Sequence, residues 1–379
     1  MVMEAPSFPL VEVYGRPRER GRQHGEACRE QVRTYADTLL RVLGGEAQLR
    51  SLDAGCADGD ARVSAGAPAG ASSRPGLTRE ALYARALTFL PAFEAFAPHL
   101  VDEIRGIAEG AGVPFEAALL VNVRAEVAGV VDSGCTAFAV GREATASGNV
   151  LLGQNQDQSP EMEALGVVLR VRPDDGPPVV MATFGGLVGY PGVNGAGVAH
   201  FQNALSNGVW RHALPHYPMK RVLLEQRDVA GCLAVFDRAR LASCGNYVIG
   251  DGTGRLVDVE ATPDGYALLE PEEGIVAHTN HFRSDRFRPQ ERLLGSLPDS
   301  AARLGRMQTL LRREHGRITL ETVKRALRDH DGEPAAICRH EPGRPMKSIA
   351  SIIAEPDAGR LHVARGNPCE SEYVAYAVA

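Results

Sequence analysis

The stretch VVDSGCTAFAV (residues 130–140) poses the question on which the fold depends. A polar triplet leads directly into Cys135, and the short apolar run behind it predicts a β-strand. A cysteine placed directly after Gly134 at the mouth of a strand has two interpretations. Cys135 is either a small buried hydrophobic residue, as most free cysteines are, or the residue that becomes a new N-terminus when the bond before it is cut.

Cleavage before Cys135 would give one residue both a thiol and an α-amine. An α-amine has a pKa of about 8, close enough to neutrality to accept the thiol proton directly or through one water. The nucleophile and its base then come from the same residue, as they do in enzymes with an N-terminal threonine. Gly134 suits this chemistry because, without a side chain, it permits a strained turn and leaves its carbonyl open to attack.

The composition is that of an ordinary globular protein, with 44% hydrophobic and 23% charged residues. The net charge of −6 provides no attraction for nucleic acid or an anionic membrane. No stretch of about eighteen apolar residues is present, and the first residues lack a signal-peptide pattern. The seven cysteines are odd in number and form no C-x-x-C pair. This pattern argues against a disulfide framework or a zinc–cysteine site and predicts a cytoplasmic protein without metal or organic cofactor.

The first third of the chain, about 16–128, is predicted to be helical. Residues 18–43 carry one apolar stripe at helical spacing. A second helical stretch begins after Thr78, a suitable N-cap, and continues to about Gly110 with interruptions at prolines. Residues 51–76 are rich in Ala, Gly, Ser and Asp and are predicted to be a mobile insert, because they hold almost no large apolar side chains.

The rest of the chain changes character at Cys135. Residues 135–282 contain short β-rich runs separated by turn residues, with one helix at about 218–240. Residues 300–379 begin with two helical patterns and end on two further strands. Helices outside and stacked antiparallel sheets inside would form an α+β layered sandwich.

Three polar residues follow or precede predicted strands and are candidates for the site. Asp157 ends GQNQD (153–157) and can orient the new amine, or it can simply form an Asx turn. Asn194, in a glycine-rich turn, can direct its amide at a reacting carbonyl, or it can belong to an Asn-Gly hairpin. Asn280 ends another strand in AHTNHF (277–282).

Two other chemistries are open at this stage. A hydrolytic metal site would use His278 and His281 with further histidines from His200, His212 and His216. Against it, positions i and i+3 of a strand point to opposite faces, and no H-E-x-x-H spacing exists. A papain-like triad of Cys135, His281 and Asn280 would be recognised only by its geometry.

Four motifs occur in a fixed order, SGCTAF (133–138), GNVLLGQNQD (148–157), GVNGAGV (192–198) and HTNHF (278–282). Together they resemble the acyl-coenzyme A:6-aminopenicillanic acid acyltransferase family of self-processing cysteine N-terminal-nucleophile (Ntn) hydrolases. GRQHGE (21–26) is similar to that family's N-terminal helix, and SIASIIAEPDAGRLHVARGNP (348–368) to its final strand pair.

The resemblance implies a four-layer αββα fold in which two antiparallel sheets lie between helical layers. It implies autocleavage between Gly134 and Cys135, giving a helical segment 1–134 and a catalytic segment 135–379 that remain associated in one domain. The cysteine would be the nucleophile, Asp157 the partner of its amine, and Asn280 the oxyanion-hole or amine-binding amide.

Asn194 matches the oxyanion asparagine of a related branch, the penicillin V acylases and bile salt hydrolases. That branch carries an arginine three residues before the aspartate, where this chain has Gln154. The difference favours the acyltransferase-like branch and removes a cation that could bind a substrate carboxylate.

The sequence therefore predicts an autoactivated amidase or acyltransferase that acts on a small N-acyl amide or acyl-coenzyme A-type thioester through an acyl-enzyme. Its pocket is expected near residues 184–197, where Phe184, Leu187, Val188 and Tyr190 suit an apolar or aromatic acyl group and few fixed charges are available to bind a carboxylate. No nucleic-acid or membrane partner is expected, and assembly of several copies is left open. The rival functions are the histidine-based metal hydrolase and a cleavage-incompetent binding protein of the same fold.

Overall fold

Two β-sheets are stacked face to face, and helices cover both outer faces. The computed structural model describes residues 7–45, 77–129, 133–340 and 346–379. The insert predicted at 51–76 lies outside the described residues.

The helices lie mainly before Cys135, with a second group after residue 215. Their bounds are α1 (Pro17–Ala27), α2 (Arg29–Gly44), α3 (Arg79–Leu87), α4 (Leu90–Phe96), α5 (Pro98–Ala111), α6 (Phe115–Asn122), α7 (Arg124–Ala128), α8 (His216–Leu223), α9 (Val229–Arg238), α10 (Ser300–Arg313) and α11 (Leu320–Leu327). The strands are β1 (Leu10–Gly15), β2 (Gly134–Val140), β3 (Leu151–Gln158), β4 (Gly166–Pro173), β5 (Val179–Phe184), β6 (Gly192–Asn194), β7 (Val198–Ala204), β8 (Gly245–Asp251), β9 (Leu256–Thr262), β10 (Gly265–Leu269), β11 (Ile275–His278), β12 (Lys347–Glu355), β13 (Arg360–Arg365) and β14 (Val374–Ala377).

One sheet has eight strands in the order β1-β4-β5-β6-β7-β8-β9-β10, and the other has six in the order β11-β2-β3-β12-β13-β14. Neighbouring strands run antiparallel, as predicted, except at one edge. There β1 lies parallel to β4, with Leu10 opposite Val168. The N-terminal segment therefore contributes a strand to the larger sheet, which the sequence reading had not predicted.

Side-chain alternation along β2 shows how the layers are built. Ala137 and Ala139 face the eight-stranded sheet and pack with Phe201 in the apolar layer between the sheets. Phe138 and Val140 point the other way, into the layer that the six-stranded sheet forms with α10 and α11. A third apolar layer joins the remaining helices to the outer face of the eight-stranded sheet. The order helix, sheet, sheet, helix confirms the predicted αββα class.

The stretches predicted to be helical are helical, but two of them are each divided into two helices. The stretch predicted at 18–43 is two helices that meet at Cys28, and the helix predicted at 218–240 is interrupted between α8 and α9. Thr78 does cap α3, since its side-chain oxygen accepts a hydrogen bond from the amide of Ala81 at 3.2 Å. New helices begin around Pro91 and Pro98, because proline fits the first turn but not the interior of a helix.

Helices α1 and α5 are in direct backbone contact, which only glycine allows. A Cβ added to Gly21 would lie 2.0 Å from the carbonyl oxygen of Glu103, and one added to Gly25 would lie 2.2 Å from that of Ile107. Gly106 and Gly110 are equally tight against the backbone of α1. The GRQHGE motif therefore encodes a close helix pair, in which small residues let two backbones approach.

This contact predicts that Gly25→Ala lowers the free energy of unfolding by about 1–3 kcal/mol, because the two helices must move apart to admit a methyl group. Urea unfolding monitored by circular dichroism measures the change. Gly305→Ala is the matched control, since a Cβ at that α10 position meets no atom within 4 Å. It should leave stability unchanged or raise it by up to about 1 kcal/mol. Equal unfolding midpoints for Gly25→Ala and wild type would contradict the close contact.

Candidate functional site

Cys135 is the second residue of β2 and lies at the end of the strand where the two sheets enclose a cavity. Its side chain is buried and points to the same side as Ala137, toward the eight-stranded sheet. Both sheets and the helical layer contribute to the cavity wall, which includes Arg124, Gln154, Tyr190, Asn203, Trp210, Tyr217, Lys220, Asn246 and Tyr247.

The backbone nitrogen of Cys135 donates a hydrogen bond to a side chain. Its acceptor is Oδ1 of Asn280, at 2.9 Å. The other end of that amide donates to the carbonyl of Ala204 at 3.2 Å, and the backbone nitrogen of Asn280 donates to Ser300 Oγ at 2.8 Å. These bonds fix the orientation of the amide, so an oxygen and not an NH₂ group faces the nitrogen of Cys135.

Arg303, on α10, is fully buried beneath this arrangement. Its guanidinium donates to the carbonyl oxygen of Cys135 at 2.6 Å and to Asn280 Oδ1 at 2.9 Å. A further bond to Thr136 Oγ1 and an ion pair with Asp299, one helical turn earlier, complete its coordination. The sequence reading missed Arg303 because it is one of several arginines in that helix. Its one signal was an aspartate four residues before it.

Asp157, on β3, lies directly opposite Gly134 on the neighbouring strand β2. Oδ1 accepts a hydrogen bond from Ser348 Oγ at 2.7 Å, whereas the buried Oδ2 has no hydrogen-bond donor among the described residues. The nearest cation is Arg339, whose Nε lies 3.7 Å from Oδ2. A Cβ on Gly134 would lie 3.3 Å from Oδ2, so a side chain at this position would make a tight contact with the carboxylate.

Burial controls the protonation of this site. It raises the pKa of the Cys135 thiol to about 12, and the negative charge of Asp157 adds to the effect. Burial also raises the pKa of Asp157, while Arg339 and Arg303 act in the opposite direction. In the intact chain the thiol is therefore protonated at neutral pH and requires a base to become a nucleophile.

Asn194 does not share this cavity within the described part of the chain. Its NH₂ group donates to the carbonyls of Leu224 and Gln226, and its oxygen accepts from the amides of Ala196 and Val198. All four bonds stabilise the β6–β7 turn and its contact with the end of α8. The proposed oxyanion role for Asn194 is therefore not supported by its position.

Asn203, which the sequence reading missed, occupies the position that was expected for Asn194. Its side chain lines the cavity with Cys135, is 2% exposed, and has no hydrogen-bond partner on either end of the amide among the described residues. It is adjacent in sequence to Ala204, whose carbonyl holds Asn280. A buried amide without partners is costly and favours a ligand or reacting group as its partner.

Of the residues predicted to form the pocket, only Tyr190 lines the cavity beside Cys135. Tyr190 lines the cavity, and its hydroxyl accepts a 2.5 Å bond from Gln156 Nε2, next to Cys135 across the sheet. Phe184 packs edge-on behind Tyr190, and Leu187, like Val188, is buried in the layer under the helices. They support the wall without forming it, because successive side chains of a strand and its turn point to different sides.

The expectation of few fixed charges in the pocket is wrong. Lys220, from α8, lies 4.1 Å from the ring centre of Tyr217 and 4.8 Å from that of Tyr190, and Arg124 lines the same wall. Burial and the neighbouring Arg124 lower the pKa of Lys220 well below its usual value, although Glu126 opposes this effect. Gln154, which stands where the penicillin V acylase and bile salt hydrolase branch has an arginine, hydrogen-bonds to the backbone of Gln202. It thereby connects the two sheets.

The histidines of the proposed hydrolytic metal site do not converge in the described structure. Each has a separate partner: His200 the carbonyl of Lys220, His212 the hydroxyl of Thr88, His216 that of Tyr247, His278 the carboxylate of Glu260, and His281 the hydroxyl of Ser300. The papain-like triad fails for the same reason, since the ring of His281 is directed at Ser300 and is absent from the cavity wall.

No helix in the described ranges combines the length and apolarity needed to cross a membrane.

Comparison with known proteins gives one family. A family profile described as acyl-coenzyme A:6-aminopenicillanic acid acyl-transferase matches residues 144–370, a segment that contains Asp157, Asn280 and Arg339 but begins after Cys135. The acyl-coenzyme A:6-aminopenicillanic-acid-acyltransferase 40 kDa form of Emericella nidulans is 29% identical over 279 residues, covering 72% of this chain and 76% of that protein.

Two solved structures are also similar to this chain. A mutant conjugated bile acid hydrolase from Clostridium perfringens is 14% identical with a TM-score of 0.44, covering 64% of this chain and 96% of its own. Penicillin V acylase from Agrobacterium tumefaciens is 12% identical with a TM-score of 0.38, covering 62% and 76% respectively.

Proposed function

Because the chain belongs to the acyl-coenzyme A:6-aminopenicillanic acid acyl-transferase family, we propose that it is a self-processing enzyme that breaks an amide or thioester bond through an acyl-enzyme on Cys135. One observation carries the proposal. In the uncut chain the nitrogen of Cys135 already donates to the side chain of Asn280, and the unpartnered carboxylate oxygen of Asp157 lies beside Gly134. These two groups would hold an amine at that nitrogen.

Processing would begin with attack of the Cys135 sulfur on the carbonyl carbon of Gly134. The C–N bond breaks, the thiol proton passes to the departing nitrogen, and a thioester joins Gly134 to the sulfur. Water then hydrolyses that thioester, leaving a carboxylate on Gly134 and regenerating the thiol. The narrow space between Gly134 and Asp157 supports this route, because a side chain at 134 would crowd the carboxylate.

In the processed enzyme the new α-amine serves as the base. It accepts the thiol proton as the sulfur attacks an acyl donor, and returns it to the departing amine or thiol. Asn280 and Asp157 orient the amine from two sides, and Arg303 keeps the Asn280 oxygen in place. The resulting thioester on Cys135 is then transferred to water or to an acceptor amine.

Asn203 is our candidate donor to the oxyanion. It combines burial, an unpartnered NH₂ group and a place in the same cavity as the sulfur. One preorganised donor of this kind stabilises a tetrahedral intermediate by roughly 3–4 kcal/mol.

The cavity suits a small substrate with an anionic group beside an aromatic or apolar part. Arg124 provides a positive charge, Lys220 provides a buried amine, and the tyrosine rings around them provide apolar surface. A carboxylate or phosphate near Lys220 would restore the ammonium form that burial disfavours. We therefore propose N-acyl amino acids or acyl-coenzyme A-type thioesters as substrates. The Emericella relative is named for an acyl-coenzyme A and an aminopenicillanic acid, and both compounds belong in the assays.

Processing predicts that purified wild-type protein consists of fragments 1–134 and 135–379, which remain associated, and that Cys135→Ala remains a single chain. Intact-mass analysis and gel filtration measure both properties. Cys232→Ala is the control, since that cysteine is buried on α9, away from the cavity. A wild-type protein that stays uncut and still hydrolyses amides would contradict the proposal.

Substitutions of Asn203 and Asn194 should affect different properties, the first kcat and the second stability. Asn203→Ala is expected to lower kcat by roughly 10²–10³ at nearly unchanged stability, because its amide has no partner to lose. Asn194→Ala should instead lower the free energy of unfolding by about 1–3 kcal/mol, since four backbone groups lose a partner, while kcat of the folded enzyme stays near wild type. Steady-state kinetics and urea unfolding of both cleaved variants provide the test, and the reverse pattern would return the oxyanion role to Asn194.

Recognition of an anionic group predicts that wild type prefers an N-acyl amino acid over the matching N-acyl amine that lacks the carboxylate. Lys220→Met should reduce kcat/KM for the acid by roughly tenfold to a hundredfold and leave the neutral analogue little changed. Lys324→Met, on α11 and paired with Glu321, is the control.

Equal losses for both substrates in Lys220→Met would exclude charge recognition by Lys220. Adding a primary amine to the same assays measures whether acyl transfer exceeds hydrolysis.

A further inference from the structure

Four potential metal ligands converge on one point away from the cavity. They are His330, Cys338, His340 and Cys369, and their ligand atoms all lie within 4.8 Å of one another. The two sulfurs are 3.6 Å apart, and the two Nε2 atoms are 3.1 Å apart. His340 Nε2 lies 3.1 Å from the sulfur of Cys369 and 3.7 Å from that of Cys338.

These separations are close to the edges of a zinc tetrahedron. Bond lengths of about 2.3 Å to sulfur and 2.0–2.1 Å to nitrogen place two thiolates about 3.8 Å apart and two imidazole nitrogens about 3.3 Å apart. A disulfide would instead need the sulfurs about 2.05 Å apart. We propose that these four residues form a structural Zn²⁺ site of the Cys₂His₂ type.

The surroundings suit a closed metal site. Cys338 is buried, whereas His330 is exposed, so the ion has a route of entry. The amide of Asn367 lies 3.6 Å from the Cys338 sulfur, and a carboxylate oxygen of Glu370 lies 3.7 Å from Nδ1 of His340, the ring nitrogen that faces away from the cluster. Polar groups behind the ligands commonly orient them in zinc sites. With four protein ligands, no position remains for a reacting water, so the role is structural.

The ligands come from two separate pieces of chain, the connection between α11 and β12 and the segment after β13. His330 follows α11, Cys338 and His340 precede β12, and Cys369 follows β13. The proposed site contains no C-x-x-C pair, which is the spacing on which the sequence argument against a zinc–cysteine site was based. The fold, not a local motif, assembles the cluster.

The site lies directly behind the catalytic centre. Arg339 sits between two of the ligands in sequence, and its guanidinium is directed at Asp157, 3.7 Å away, and at Asp299. A bound ion would therefore fix the loop that positions Arg339 against the carboxylate beside Gly134.

The test is metal content, which does not depend on activity. Wild-type protein purified without affinity metals and dialysed in metal-free buffer should contain about one zinc per chain by plasma mass spectrometry. Cobalt substituted for zinc should give the absorption bands of a tetrahedral, thiolate-bound Co²⁺ ion. Cys369→Ser and His330→Ala should each reduce the zinc content several-fold.

Matched controls are Cys232→Ala and His315→Ala, a buried cysteine and an exposed histidine outside the cluster, both of which should retain the metal. Zinc content that Cys369→Ser and His330→Ala leave unchanged would overturn the proposal. The proposal would also be overturned if the wild-type protein contained no metal and thiol titration of the unfolded, unreduced protein showed a Cys338–Cys369 disulfide. Neither result bears on whether Cys135 is the nucleophile.

Discussion

The buried guanidinium of Arg303 is the interaction on which the site depends. A charge removed from water is tolerated only when its donors are matched by acceptors, and losing one partner of such a group is far more costly than losing an exposed ion pair. Arg303 satisfies this condition with the carbonyl of Cys135, the oxygen of Asn280 and the carboxylate of Asp299. One side chain thereby joins the outer helical layer to the end of β2 and to the turn after β11.

The charged side chains around Cys135 also have a definite arrangement. Guanidinium groups lie on both sides of Cys135, with Arg303 and Arg339 behind the strand and Arg124 in the wall of the cavity. Asp157 is the buried carboxylate directly opposite Gly134, so an amine formed by the proposed cleavage would have a counter-charge without any rearrangement of the sheet.

Some features of the fold and of the candidate site could be predicted from the sequence and others could not, for physical reasons. Strand β2, the Thr78 cap and the two-sheet sandwich were predictable, since alternation and capping are local properties. Cys135, Asp157 and Asn280 could be singled out as candidates because each stands next to a turn at a strand end, and the structure brings them close together. Asn203 was not singled out, because its place in the cavity depends on which face of β7 meets the other sheet, and a shift of one residue exchanges the faces. Arg303, Arg339 and the cysteine–histidine cluster depend on contacts between distant segments, which spacing along the chain does not reveal.

The parallel pairing of β1 with β4 has a consequence for a chain that is cut before Cys135. The first segment then acts as a donated strand, completing the edge of a sheet whose other seven strands belong to the second segment. Alone, the second segment would present β4 as an open edge, a surface that readily pairs with other chains and leads to aggregation. The helices of the first segment also contact the second segment. His24, on α1, accepts a hydrogen bond from the backbone amide of Gly186. In a chain cut as we propose, these contacts would hold the two segments together without a covalent link.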